Sequence, residues 1–428
     1  MVQTSMAAAH MAAAHLSRTV GPPTLGDSAM RSPYEHLATG RQHSLFEQDV
    51  LDHTAELDRR VQGTRIAVIG AAGSIGSSVV RSLARHRPRS LVLMDLSENN
   101  LVEVVRELRS DADIRLPDEL FTLPIGLGSL ECARYFREQE PFDYILDVAA
   151  IKHVRSEKDV YCLMRMFDTN VLFPHELLRD LAKPCRNFFA VSSDKATNPA
   201  NLMGASKMAM EKLLLLHSER QPFCTARFAN VAFSDGSLPH GFLMRIQKRQ
   251  PLSAPNDVKR YFMSHEEAGQ ICVLACILGE NRDVFFPALE RGRSEKTFAA
   301  IAVELLHELG YEPVICATEQ EARVRAAELI AQRKWPCYFF ASDTTGEKPF
   351  EEFHAGTEQL DLERFKRVGI IKQSRADVDA DATEAFLRFA IAARTSTTTT
   401  KADYVDALRA VVPGLDHFET GKNLDQKM

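Results

Sequence analysis

Thr64-Arg65-Ile66-Ala67-Val68-Ile69-Gly70-Ala71-Ala72-Gly73-Ser74-Ile75-Gly76, in letters TRIAVIGAAGSIG, is a short apolar run that ends in three spaced glycines. The run is too short for a buried helix and reads as a strand covered on both faces. Glycines at positions 70, 73 and 76 let the chain turn tightly, approach a pyrophosphate closely and enter a helix whose N-terminus favours negative charge. Gly70, Gly73, Ser74, Ile75 and Gly76 are therefore candidate dinucleotide contacts. Asp95 closes the following apolar run, Ser90–Met94, about 20 residues further on, the spacing at which a carboxylate meets the adenosine ribose. That carboxylate would repel a 2′-phosphate, and Leu96-Ser97-Glu98 supply no cation to hold one, so NAD rather than NADP is the expected cofactor.

Working outward, helical patterning is expected over Ser44–Val61, Ser77–Arg85 and Asn99–Arg109, with further strands at Tyr144–Val148 and Asn187–Val191. Alternating short strands and helices predict an α/β fold with a Rossmann-like doubly wound parallel sheet. After about Ala229 the alternation loosens. Phe298, Ile301, Leu305, Leu306 and Leu309 form a helical stripe, and Cys337–Ala341 a short strand, as expected for a smaller C-terminal substrate subdomain. Residues 1 to about 40 lack periodicity and read as disordered. Four segments result: 1–62 as an extension with one helix, 63–232 as the dinucleotide-binding domain, 233–394 as a partly interleaved substrate subdomain, and 395–428 as a Thr-rich linker and helical tail.

The chain has 428 residues, long enough for one large α/β domain with a subdomain, and a net charge of −6 that gives no basic field for nucleic acid. Its eight cysteines include no CxxC pair, and Cys272 and Cys276 read as buried small hydrophobes, so no metal is expected. ICVLACILG, from Ile271, is about half the roughly 20 residues that span a bilayer. The opening MVQTSMAAAHMAAAHLS lacks the basic and leucine-rich regions of a secretory leader. A cytoplasmic protein without a membrane span is the expectation, and a homo-oligomer is the expected assembly.

A second stretch carries the chemistry: SSDKATNPANLMGASK, residues 192–207. It follows the strand Asn187–Val191, at the sheet edge where doubly wound proteins place their reacting groups. It is similar to the active-site strip of short-chain dehydrogenases, in which a Tyr sits four residues before the Lys; here Met203 stands four before Lys207. With GAAGSIGS (70–77), MDLSENNL (94–101), AAIKHVRSE (149–157), TNV (169–171), RFANVAFSDGS (227–237), RYFMSHEEA (260–268) and GEKPFEEF (346–353), the chain resembles extended short-chain dehydrogenases that act as UDP-N-acetylglucosamine 4,6-dehydratases. The resemblance is to the polysaccharide-biosynthesis branch, in which Met replaces the Tyr. Residues 310–345 and the tail after Gln373 are not assigned by it, and no counterpart to the N-terminal membrane helices of many branch members is expected.

The resemblance implies a reaction and roles. Hydride leaves C4 of the sugar for NAD, the resulting ketone acidifies the C5 proton, water is eliminated across C5 and C6, and the hydride returns to C6. Asp194 would protonate the leaving C6 oxygen and Lys195 remove the C5 proton, which requires a neutral acid beside a neutral amine. Lys207 would hold the nicotinamide ribose, and Ala149 would line the cofactor. Asn230 and Arg260 would bind the nucleotide diphosphate of a UDP-sugar. Lys152 and His153, which follow the strand Tyr144–Val148, are expected to face the cofactor or sugar, and Ser237 is a candidate for substrate binding. Met203 cannot take the C4 hydroxyl proton, which is left to Ser193, water or Asp194. Two other functions compete. A UDP-hexose 4-epimerase needs no acid–base pair for C5 and C6 and normally keeps its Tyr. A non-catalytic NAD-binding sensor would not need Asp194-Lys195.

Overall fold

The computed structural model describes residues 32–289, 295–342 and 351–415. Six parallel strands form the centre of the main sheet: β1 (Arg65–Ile69), β2 (Ser90–Met94), β3 (Glu119–Leu123), β4 (Tyr144–Asp147), β5 (Asn187–Val191) and β6 (Phe223–Ala226). Their spatial order is 3-2-1-4-5-6, the doubly wound order of the Rossmann fold. Strand Asp283–Pro287 extends the sheet in parallel beyond β6, and Val368–Lys372 and Leu360–Asp361 close that edge in antiparallel fashion. Among the described residues nine strands result, with the late ones drawn from the segment expected to form the substrate subdomain.

Every residue of β1, β2 and β5 is buried, because helices cover both faces. The pleat divides β1 between two cores: Ile66 and Val68 face one, Ala67 and Ile69 the other. The first core includes helices Glu47–Val61, Ser74–Ala84 and His265–Leu278. The last of these holds ICVLACIL, and its Cys272 and Cys276 are fully buried in apolar surroundings. No helix among the described residues is long and apolar enough to cross a membrane.

The second core is packed by helix Leu202–His217 and by two C-terminal helices, Ala380–Ala393 and Lys401–Val411. Tyr404 stacks on Phe167 at 5.3 Å between ring centroids, and Phe386 meets the same ring edge-on. Arg394 donates to Asp168 at 2.8 Å. The helical tail expected after the Thr-rich linker is thus part of the main core.

A second, smaller sheet joins Glu312–Ile315, Lys334–Phe340 and Leu252–Pro255, all parallel, around a core that includes Trp335, Phe242, Phe262 and helix Phe298–Glu308. It accounts for residues 312–340, which the sequence resemblance left unassigned. The reading of the first 40 residues as disordered fails over Glu35–Thr39. These form a helix whose Leu37 and Ala38 enter this small core, with Glu35 paired to His265. Residues 1–31 lie outside the described residues.

One buried ion pair ties the sheet edge to the covering helix. Arg227, just past β6, donates to both carboxylate oxygens of Glu211 at 3.0 and 2.7 Å, and further to Thr197 and the Phe353 carbonyl. Ser192 donates to the same carboxylate at 2.6 Å. Burial pushes the Glu211 carboxyl up, but Arg227 and Ser192 more than offset it and hold the group below its ordinary value. Breaking such a pair from one side leaves an uncompensated buried charge. Arg227→Met should therefore destabilise the protein by about 3–5 kcal/mol, measured by urea unfolding; an unchanged midpoint would contradict this account.

Candidate functional site

Ile69 of β1 is level with Met94 of β2 and Asp147 of β4. Beyond this level the chain leaves β1 and β4 on opposite sides, which opens the crevice where doubly wound sheets bind ligands. A cavity of about 440 Å³ occupies it.

The glycine turn forms one wall. Gly70 has φ +77°, and a Cβ there would lie 2.7 Å from the Ala149 nitrogen; a Cβ on Gly76 would lie 1.9 Å from the Gly70 carbonyl oxygen. No side chain fits at either point. The helix begins at Ser74 rather than Ser77, so its first free N–H groups belong to the glycine motif itself. Ser74 Oγ accepts from the Asp235 amide at 2.9 Å, which fastens the Ser-Asp-Gly loop to the helix start. Asp95 accepts from the Ala72 and Ser97 amides at 3.0 and 2.9 Å, leaving acceptor capacity toward the cavity. Gly70, Gly73, Ser74, Ile75, Gly76, Asp95 and Ala149 all line the cavity.

The opposite wall is the 192–207 strip. Ser193 caps a short 3-10 turn over Asp194–Ala196, and its hydroxyl donates to Asp194 Oδ1 at 2.8 Å. Lys195 Nζ lies 3.3 Å from the same oxygen. Asp194 is buried, while the Lys195 side chain keeps 31% of its surface exposed on the cavity side. Asn201 caps helix Leu202–His217 and puts Met203 and Lys207 one turn apart, both lining the cavity. Met203 offers only a thioether; its amide donates to the buried carboxylate of Glu157 at 2.8 Å. Lys207 Nζ donates to the Val191 carbonyl at 2.8 Å.

Lys207 faces a group that sequence reading missed. Asp147 ends β4, is 2% exposed and accepts from the Ala149 amide at 3.1 Å. Burial raises the Asp147 carboxyl, against the pull of Lys207, and lowers the Lys207 amine, against the pull of Asp147 and Glu211. The signal was an acidic residue closing an otherwise apolar strand.

Lys152, Asn230 and Ser237 also line the cavity. Lys152 Nζ donates to Ser234 Oγ at 3.2 Å; loss of solvent, then repulsion by Lys195, depresses its amine against the attraction of Asp235. Ser237 caps helix Leu238–Gln247 by accepting from the His240 amide. Arg260 is not among the cavity-lining residues. It is buried, with Nε 3.7 Å from Glu351 Oε1. Glu351 is a second missed residue, with Asn230 Nδ2 donating to it at 3.1 Å and the Tyr261 amide at 3.3 Å. Of GEKPFEEF, residues 346–350 lie outside the described residues.

With the fold and the crevice established, the relatives are informative. The family model described as polysaccharide biosynthesis protein matches residues 66–372, and the chain belongs to that family. It is 29% identical over 284 residues to the probable polysaccharide biosynthesis protein EpsC of Bacillus subtilis, covering 60% of this chain and 43% of EpsC. It is 25% identical over 231 residues to a UDP-glucose 4-epimerase of Rickettsia bellii, covering 51% of this chain and 64% of the epimerase. The chain thus spans less than two thirds of either relative. In fold it is similar to the X-ray structure of Pen from Bacillus thuringiensis, with a TM-score of 0.59 at 19% identity over 79% of this chain and 99% of Pen.

The glycine contact gives a direct test of this site's construction. Gly76→Ala should lower stability by about 1–3 kcal/mol, the usual cost of forcing an extra methyl into a packed position. An unchanged thermal or urea midpoint would show that the helix start has room the geometry denies it.

Proposed function

We propose that the chain is an NAD-dependent nucleotide-sugar 4,6-dehydratase that converts UDP-N-acetylglucosamine to a UDP-4-keto-6-deoxy sugar. The observation that carries this reading is the Asp194–Lys195 contact, 3.3 Å between Lys195 Nζ and Asp194 Oδ1, on the wall of the same cavity as the glycine turn. An acid and a base within one contact can serve the two ends of a C5–C6 elimination. Neither hydride transfer alone nor epimerisation needs both.

The crevice fits the dinucleotide. The side-chain-free approach at Gly70 and Gly76 and the helix start at Ser74 suit a pyrophosphate. Asp95 would receive the adenosine ribose hydroxyls, and Lys207 the nicotinamide ribose. When bound, NAD supplies a reversible hydride acceptor. The chain's residues supply the proton movements. Lys195 removes the C5 proton once C4 is a ketone, Asp194 gives a proton to the departing C6 oxygen, and Lys195 returns its proton to C5. Ser193 orients both by bonding the Asp194 carboxylate and the Lys195 amide. Lys152, Asn230 and Ser237 line the same cavity and would meet the UDP-sugar, and the protein would act as a homo-oligomer in the cytoplasm.

Met203 separates this reading from an epimerase. A 4-epimerase relies on a group at that position to take and return one proton at C4, and a thioether does neither. A dehydratase discharges the C4 proton elsewhere, because the reaction also consumes a proton at C6.

Incubation with UDP-N-acetylglucosamine should give a product lighter by one water, with no added oxidant or reductant and no accumulation of NADH. A product of unchanged mass would support epimerisation; stoichiometric NADH would mark a simple dehydrogenase. Asp194→Asn and Lys195→Met should each lower the rate of water loss by at least about 100-fold, the lower range for a general acid or base, while NAD stays bound. Met203→Ala should be far milder. Near-normal turnover in Lys195→Met would remove the role given to that residue.

A further inference from the structure

Helix Val160–Phe167 runs on through a π turn, Asp168–Leu172, into helix Phe173–Asp180. Arg165, Thr169 and Phe173, four residues apart, all line the cavity. Beside Thr169, Asn170 fastens the loop after β4 by accepting from the Ile151 amide and donating to its carbonyl, both at 3.0 Å. π turns of this kind recur at functional sites. The wall belongs to the Asp95 end of the crevice. The Asp95 amide donates to the Leu123 carbonyl at 3.2 Å, so the loop after β3 starts beside it. In that loop a Cβ on Gly126 would collide with the Leu96 side chain, and one on Gly128 with the Phe173 ring. Close approaches thus lead from Asp95 and Leu96, through the loop, to Phe173 and Arg165.

Two guanidinium groups lie over the Phe173 ring, each 5.4 Å from its centroid. They differ in what neutralises them. Arg394 is paired with Asp168 at 2.8 Å and with Glu176 at 2.5 Å. Arg165 is exposed and, among the described residues, carries no ion pair. A surface arginine that shields a ring would need nothing more. This one stands on a cavity wall, however, where Leu96, 71% exposed, Ile125 and Leu127 supply apolar surface. A flat cation and apolar side chains next to a carboxylate with spare acceptor capacity suit a planar base joined to a ribose. They do not suit a phosphate, which wants several converging donors; the helix start at Ser74 supplies those.

We propose that Arg165 is a cofactor-binding residue whose guanidinium stacks on the adenine base of the dinucleotide, while Asp95 takes the adjoining ribose. A guanidinium can lie flat on an aromatic face and keep its N–H groups free at the edge. Lysine has no such plane, so the contact is specific to arginine. Arg394 spends its charge on two carboxylates and is left to brace the far wall of Phe173. The inference rests on the dinucleotide and not on the fate of the sugar.

Calorimetric titration of the full chain, freed of nucleotide, with ADP-ribose and with NADP tests it without turnover. Arg165→Ala should weaken ADP-ribose roughly three- to tenfold, the range of a partly desolvated cation–π contact. Arg165→Lys keeps the charge without the plane and should recover little of that loss. Unchanged ADP-ribose affinity in Arg165→Ala overturns the proposal. So does full recovery in Arg165→Lys with a loss that vanishes in high salt, which would place the contact on the pyrophosphate. A larger loss for NADP than for ADP-ribose would assign Arg165 to a 2′-phosphate and overturn it equally. The expected loss in a protein that releases no water from UDP-N-acetylglucosamine would sink the dehydratase reading and leave Arg165 in its role.

Discussion

Helix Ser74–Ala84 starts in contact with the end of β1, and the crevice depends on that approach. The Gly70 carbonyl lies where a Cβ on Gly76 would stand, and the Ala149 amide where a Cβ on Gly70 would stand. Three segments meet there with no side chain between them: the turn at Gly70, helix Ser74–Ala84 and the loop after β4. Because the helix begins inside the glycine motif, its free amides face the cavity rather than solvent above it. Asp95 braces the turn through the Ala72 amide while keeping acceptor capacity for a ligand.

The same crevice gathers ionisable groups that would be costly to bury singly. Asp147 offsets Lys207, Arg260 and Asn230 meet Glu351, and Lys195 reaches Asp194. A buried charge persists when it is paired and hydrogen-bonded, and otherwise changes its proton affinity. Asp147, Lys207 and Glu351 show the second outcome, each moved toward neutrality chiefly by burial. Perturbation of this kind concentrates where protons are moved. Arg227 and Glu211, by contrast, form a mutually satisfied pair that anchors the strip from beneath.

What was legible in the sequence follows from how each element is buried. β2 and β5 match their expected spans residue for residue, since five consecutive apolar-rich positions are enclosed on both sides. β3 escaped because it is an edge strand with exposed Phe121 and Thr122 and no apolar run. Strand Lys334–Phe340 was read only in its second half, because Pro336 lies inside it and proline ordinarily argues against a strand interior. The helix at Glu35–Thr39 depends on contacts with the small distant core, which local periodicity cannot register. Asp194 and Lys195 were visible as adjacent residues after a strand. Asp147 and Glu351 join them only through the fold, as does the approach of Arg260, expected to bind the nucleotide diphosphate, to Glu351.

On the dehydratase reading, one crevice would oxidise C4 and reduce C6 of the same sugar, with protons passing through Asp194 and Lys195 between the two events. UDP-N-acetylglucosamine carrying deuterium at C4 tests it most directly. The account predicts that the product has lost one water and carries the deuterium at C6. Deuterium returned to C4 in a product of unchanged mass, or recovered on released nicotinamide cofactor, would contradict it.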